Sequence, residues 1–99
     1  MENGQCTVIV AYEVNAEDMD RFLTAWEQAQ SHLKKQKGFI DTTLYRAESA
    51  NPHFRFVNVA NWQDADHFRS ATQNARFIEA SGRLAPYPLY ASVYESVAS

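Results

Sequence analysis

Residues 6–14, CTVIVAYEV, are apolar on both of their alternations. Cys6, Val8, Val10, Tyr12 and Val14 share one side of an extended chain, and Thr7, Ile9 and Ala11 share the other. A β-strand of this kind needs cover on both faces. That requirement restricts the fold more than any other feature of the chain. A layer of helices supplies one cover, and something else must supply the second.

The chain that follows offers such helices. NAEDMDRFLTAWEQAQSHLKKQKG, residues 15–38, carries Asn15 as an N-cap and Glu17, Asp18 and Asp20 in its first turn. Met19, Phe22, Leu23, Trp26, Ala29 or Gln30, and Leu33 recur at helical spacing. Lys34, Lys35 and Lys37 complement the C-terminal dipole, and Gly38 supplies a left-handed residue just past the end. Trp26 on this stripe is either core or part of a pocket wall. FIDTTLYRAE (39–48) and HFRFVNVANW (53–62) read as two strands joined by the turn SANP (49–52). QDADHFRSATQNARFIEASGRL (63–84) is helical but broken, with TQN (72–74) as the joint and Gly82 as the stop. PYPLYASVYESV (86–97) closes the chain as a last strand, its prolines at the entry, where a ladder donor is least needed.

The order β-α-β-β-α-β is the ferredoxin-like split βαβ arrangement, an α+β fold with a four-stranded antiparallel sheet and helices on one face. A chain of 99 residues is expected to form one domain, 1–99, and buries only a little over ~60% of its unfolded surface. A second subunit is the economical cover for the remaining sheet face, so the sequence predicts a homodimer with sheets packed face to face, a dimeric α/β barrel.

Composition narrows the function classes. The formal charge of −3, with KKQK (34–37) as the only dense basic run, argues against a nucleic-acid partner. There is no run of 18 or more apolar residues, hence no expected membrane span. MENGQCTVIV lacks the basic region and long apolar core of a signal peptide. The single cysteine, Cys6, permits no internal disulfide, builds no metal site alone and reads as a buried strand residue. These features fit a cytoplasmic protein. His32, His53 and His67 are scattered, and no phosphate loop, nucleophile elbow or carboxylate pair stands out; no metal site is expected.

One polar residue is out of place. Along the third strand Phe54, Phe56, Asn58, Ala60 and Trp62 fall on one face, and Asn is disfavoured in a strand interior. Asn58 and Trp62 lie roughly 13 Å apart on that face. A buried amide must find partners. Asn58 therefore either bonds a neighbouring side chain or water, or projects into an aromatic-walled cavity where it holds a carbonyl or enolate oxygen.

From TVIVAYEV to YASVYESV the chain resembles the antibiotic biosynthesis monooxygenase domain family of dimeric α/β barrels. GFIDTTLYRA, RFVNVANW and QDADHFRSATQNARF resemble its hairpin and the helices that follow its tryptophan. Asn-x-x-x-Trp, here Asn58 and Trp62, is similar to the pair in cofactor-free anthrone monooxygenases of aromatic polyketide biosynthesis. The resemblance implies roles for both in substrate and oxygen handling, and for a tyrosine six residues after the tryptophan and an arginine further along the helix. Phe68 stands at the tyrosine position, preceded by His67; the arginine is Arg83 or Arg76, Arg83 lying further downstream.

The implied chemistry uses no metal, flavin or other cofactor. A small aromatic substrate with an acidic C–H loses a proton, its carbanion passes an electron to O2, the radicals recombine to a peroxide, and loss of water gives a quinone. Asn58 suits the oxyanion role, Trp62 a packing wall with one N–H, Arg83 a partner for an anionic substrate, and His67 a base near neutral pH. Phe68, Trp26 and Arg76 complete the expected substrate-binding set. Three rival readings remain, among them a purely structural dimer with a filled core; the other two take a ligand. One is a non-catalytic or isomerase-like dimer that binds a small aromatic molecule. The other is haem degradation, disfavoured because the first strand carries Tyr12 and no Asn, and no His lies between residues 68 and 99.

Overall fold

The computed structural model describes residues 5–99. The expectation for the N-terminal stretch rests partly on residues 1–4, which lie outside the described residues. The elements are β1 (Cys6–Tyr12), α1 (Met19–Leu33), β2 (Phe39–Arg46), β3 (Phe56–Trp62), α2 (Ala65–Gln73), α3 (Ala75–Ala80) and β4 (Leu89–Tyr94), with 3-10 turns at Ala16–Asp18 and Gly82–Leu84. The sheet has four strands in the order β2-β3-β1-β4, and every adjacent pair is antiparallel. This is the ferredoxin-like α+β fold expected from the sequence. No helix among the described residues is long and apolar enough to cross a membrane.

The inner face of the sheet meets the helices. Cys6, Val8 and Tyr12 of β1 and Phe56, Asn58, Ala60 and Trp62 of β3 are all buried there, as their alternation requires. Alanines at 25 and 29 on α1, 2% and 1% exposed, let that helix approach closely. The core has two parts. One gathers Tyr12, Val14, Phe22, Phe56 and Leu84; the other gathers Cys6, Val8, Leu33, Ala60, Trp62 and Ala71. Val10 and Phe77 pack against both.

The element ends differ from the sequence expectation for local reasons. Asn15 makes no side-chain cap; its carbonyl accepts from Asp18 N–H at 2.9 Å, and the first turn is 3-10. Asp18, at the N-terminus of α1, is engaged by the guanidinium of Arg21 instead of capping. The third strand starts at Phe56 rather than residue 53, because residues 53–55 bend; Arg55 still donates its N–H to Tyr12 O and its Nε to Val14 O. The break in the second helical segment falls where expected. Asn74 is extended, and its Oδ1 accepts from Arg76 N–H at 2.7 Å, capping a fresh helix.

Gly38 has φ +90°, but it lies beyond a run of turns after Leu33 and does not close α1 directly. Its importance is steric: a Cβ there would sit 2.4 Å from the Cβ of His67. The carbonyl of Gly38 also accepts from Gln63 N–H at 2.7 Å, so this glycine fixes where α2 leaves the sheet.

Strand β2 contains a bulge. Phe39 pairs with Trp62 and Asp41 with Asn61, leaving Ile40 without a partner. The extra residue changes parity, so that Phe39 shares the inner face with Thr42 and Leu44 and meets Trp62 edge-on at 5.4 Å. The outer face carries Ile9, Val57 and Val59, with Tyr45, Tyr90 and Tyr94 half or more exposed. Across it, Thr7 Oγ1 donates to Asn61 Oδ1 and Asn61 Nδ2 to Asp41 Oδ1, each at 2.7 Å.

Candidate functional site

Between the inner face and the helices lies a cavity of about 720 Å³, within the usual range for small-molecule sites. Its walls are mainly apolar: Val8, Val10, Ala60, Trp62, Leu33, Phe68, Phe77 and Leu84 among others. Small side chains at Ala29, Ala60, Ala85 and Ala91 leave the space open, with α1 behind and the 3-10 turn at Gly82–Leu84 to one side.

The two buried polar side chains among the described residues, Asn58 at 4% exposed and Gln30 at 5%, both line this cavity. Asn58 lies on β3 opposite Val10 of β1 and Leu44 of β2. Its Oδ1 accepts from Thr42 Oγ1 at 2.6 Å. The carbonyl end is therefore spent on the sheet, and the NH2 end is the donor available to a guest. The alternatives posed by the sequence are not exclusive, because a carboxamide has two ends. Gln30 reaches the cavity from α1, and its buried Oε1 has no hydrogen-bond partner.

Trp62, 1% exposed, is clamped edge-on between Phe39 and Phe68, ring centroids 5.4 and 5.6 Å away. Phe68 lines the cavity from α2. The other expected site residues lie elsewhere. Arg83 borders a separate surface hollow with Asp20, Arg21 and Thr24. Arg76 borders another, with His32 and Lys35. Trp26 packs against the Tyr12–Phe22 part of the core, its Nε1 buried and without a partner. His67 is tied up at the start of α2: its backbone N–H and its Nδ1 both lie 2.8 Å from Asp64 Oδ1. Among the described residues, no Asp, Glu, Lys, Arg or His lines the cavity.

Three contributors went unremarked in the sequence. Thr42 holds Asn58; Gln30 faces it from α1; Tyr12 lines the cavity from β1. Tyr12 and Gln30 carry a visible signal, since each puts a polar tip on an otherwise apolar stripe. Thr42 carries none, because its register depends on the bulge at Ile40.

Titration behaviour follows burial. Desolvation pushes the Tyr12 phenol up to about 12, and burial, with a smaller contribution from the Asp64 charge, pushes the Cys6 thiol up. Asp64 is held below its ordinary 3.8, mainly by the His67 backbone N–H and then by the His67 ring. Among the described residues no group of three or more His, Cys, Asp or Glu is placed to hold a metal ion.

Comparison with known proteins gives a consistent picture. SnoaB of Streptomyces nogalater, a cofactor-independent oxygenase, superposes with a TM-score of 0.86 at 21% identity, covering 97% of this chain and 96% of its own. A monooxygenase candidate from Shewanella loihica gives 0.86 at 22%, covering 97% of each chain. A dimeric protein of unknown function and ferredoxin-like fold from Bacteroides fragilis gives 0.76 at 13%, covering 97% of this chain and 100% of its own. These likenesses establish the fold. No curated protein sequence gives a significant match. Residues 6–83, most of the length and all the cavity-forming strands but β4, match the family model for antibiotic biosynthesis monooxygenase, and the chain belongs to that family.

Proposed function

We propose that the protein is a cofactor-independent monooxygenase acting on a small, neutral, polycyclic aromatic substrate of anthrone or quinol type. The observation that carries this reading is the Asn58 amide. It is buried, its oxygen is fixed by Thr42, and its NH2 is left as a donor in an apolar cavity of ligand size. Such a donor stabilises the enolate form of a bound ketone and costs no reorganisation when the charge develops.

In this proposal the substrate enters enolised. Among the described residues no carboxylate or imidazole lines the cavity, so the C–H proton is given up to solvent before the substrate is enclosed. Asn58 Nδ2 donates to the enolate oxygen. The aromatic rings lie against Trp62 and Phe68, which hold the reacting carbon toward dissolved O2 and exclude water. One electron passes from carbanion to O2; the pair recombines to a carbon-bound peroxide; the peroxide takes up a proton and loses water to leave a second carbonyl. One substrate and one O2 give one quinone and one water. A neutral cavity fits a neutral guest, and in this reading Arg83, Arg76 and His67 act outside the reacting centre. The outer sheet face, with Tyr45, Tyr90 and Tyr94 exposed over a floor of Ile9, Val57 and Val59, is proposed to be covered by a second copy of the chain.

The test is oxygen uptake by purified, metal-free protein supplied with a simple anthrone. Uptake above the buffer rate that falls at least 10-fold in Asn58→Ala is expected. The lack of any carboxylate, imidazole or amine among the described residues that line the cavity favours a second reading, a dimer that binds such molecules without turning them over; binding with no oxygen uptake selects it.

A further inference from the structure

Asn58 is not the only donor in the cavity. Tyr12 is 4% exposed, lines the same space, and belongs to the strand paired directly with β3. Tyr12 pairs with Phe56, and Val10 pairs with Asn58, so Tyr12 and Asn58 are diagonal neighbours on one face of the sheet. At that offset Cα atoms are about 7–8 Å apart, and aromatic and long side chains reach one another.

The ring of Tyr12 is not free to wander. It meets Phe22 edge-on with centroids 4.9 Å apart, and Phe22 is in turn stacked on Phe56 at 4.7 Å and meets Tyr87 at 5.3 Å. Among the described residues, no side-chain hydrogen bond uses the Tyr12 hydroxyl, and it is not among the sealed polar atoms that lack a partner. Of the hollows described above, this cavity is the one that Tyr12 lines. Buried tyrosine hydroxyls ordinarily find a partner. Here the fold withholds one from its own side chains while fixing the ring that carries the group.

We propose that the Tyr12 hydroxyl and the Asn58 NH2 form a two-donor cradle for a single carbonyl or enolate oxygen of the substrate, with Tyr12 the second hydrogen-bonding residue of the site. The inference rests on the proposed use of the cavity. It gives a reason for Phe68, which lacks a hydroxyl: the phenol of this site comes from β1 rather than from α2. Burial holds the Tyr12 phenol well above neutral pH, so the group stays protonated and donates; it does not serve as the base. The cradle also sets a substrate requirement: one oxygen projecting from the edge of a flat ring system, with no charged substituent facing the apolar walls.

The experiment compares two inert tricyclic probes of the same shape, 9-fluorenone with one carbonyl and fluorene with none. Dissociation constants are measured by fluorescence titration for the unmodified protein, Tyr12→Phe and Asn58→Ala, with thermal unfolding of each variant alongside. The unmodified protein is expected to prefer fluorenone. That preference is expected to fall about 3- to 10-fold in each variant, the worth of one neutral hydrogen bond, while fluorene binding by Tyr12→Phe stays unchanged. Preference lost in Asn58→Ala but kept in Tyr12→Phe overturns the role of Tyr12 and leaves the proposed site standing. Equal weakening of both probes in Tyr12→Phe makes the tyrosine a packing residue only and also overturns it. No preference, or no binding of either probe, in the unmodified protein defeats the site reading itself.

Discussion

Replacing Thr42 with valine exchanges a hydroxyl for a methyl at nearly constant volume. Thr42 Oγ1 donates to Asn58 Oδ1 at 2.6 Å, and Asn58 is 4% exposed. In Thr42→Val that carbonyl keeps its burial and loses its donor. An unsatisfied buried acceptor costs about 1–3 kcal/mol. The new methyl is partly buried and returns at most about 0.8 kcal/mol, a full methylene's worth. The expected net loss is about 1–2 kcal/mol, and a domain of this size then melts roughly 4–15 °C lower. Circular dichroism melts at matched protein concentration measure it, since an associating protein has a concentration-dependent Tm. Thr42→Ser keeps the hydroxyl and should lose less than half as much. A second readout is independent of stability: with no donor to orient it, the Asn58 amide can turn, and the preference for fluorenone over fluorene should shrink. A Tm within about 1 °C of the parent, with preference intact, would falsify the claim that Thr42 decides which end of Asn58 faces the cavity.

Two further substitutions test the frame around the site. Gly38→Ala places a methyl 2.4 Å from His67 Cβ at φ +90° and should cost at least about 1–2 kcal/mol for the backbone alone, whereas Gly82→Ala, with nothing within 4 Å, should be close to neutral; melting both separates close approach from a generic glycine effect. For Asp64 the sign follows from its lowered folded value: its contribution is complete above the ordinary 3.8 and disappears as pH falls through the folded value below it. Asp64→Asn, which keeps a capping oxygen but not the charge, should therefore have a lower urea midpoint than the parent near neutral pH and match it in strong acid; a gap that persists unchanged in acid would exclude the charge as its cause.

Much of this was legible in the residues. The two apolar alternations of β1, the position of Asn58 on the inner face and the break at Asn74 all follow from periodicity and local backbone chemistry, and the structure keeps them. What was not legible depended on three-dimensional register. The break before Arg76 is visible in the sequence but its phase is not: Asn74 starts a new helix that carries Arg76 toward His32. Arg83 sits in a 3-10 turn, where helical spacing no longer says which way a side chain faces. His67 has a value of 28% side-chain exposure, and its ring is committed to Asp64, a capping arrangement that spacing from Trp62 does not reveal. Tyr12 was counted among apolar residues, and its hydroxyl became interesting only once the fold left it without a partner.

The bulge at Ile40 has a consequence for how the chain tolerates a change in length. Within a strand, loss or gain of one residue normally inverts every side chain beyond it. Ile40 is the exception: Phe39 and Asp41 already occupy consecutive rungs opposite Trp62 and Asn61, and Ile40 stands outside the ladder at 46% exposure. Deleting it would leave Phe39 against Trp62, Thr42 beside Asn58 and the ladder regular. Removing Asp41 would act the same way, with Ile40 taking the rung opposite Asn61, whereas removing Thr43 has no bulge to absorb it and would put Thr42 and Leu44 on opposite faces. A single spare residue thus lets this strand lose a position without turning the site's side chains over.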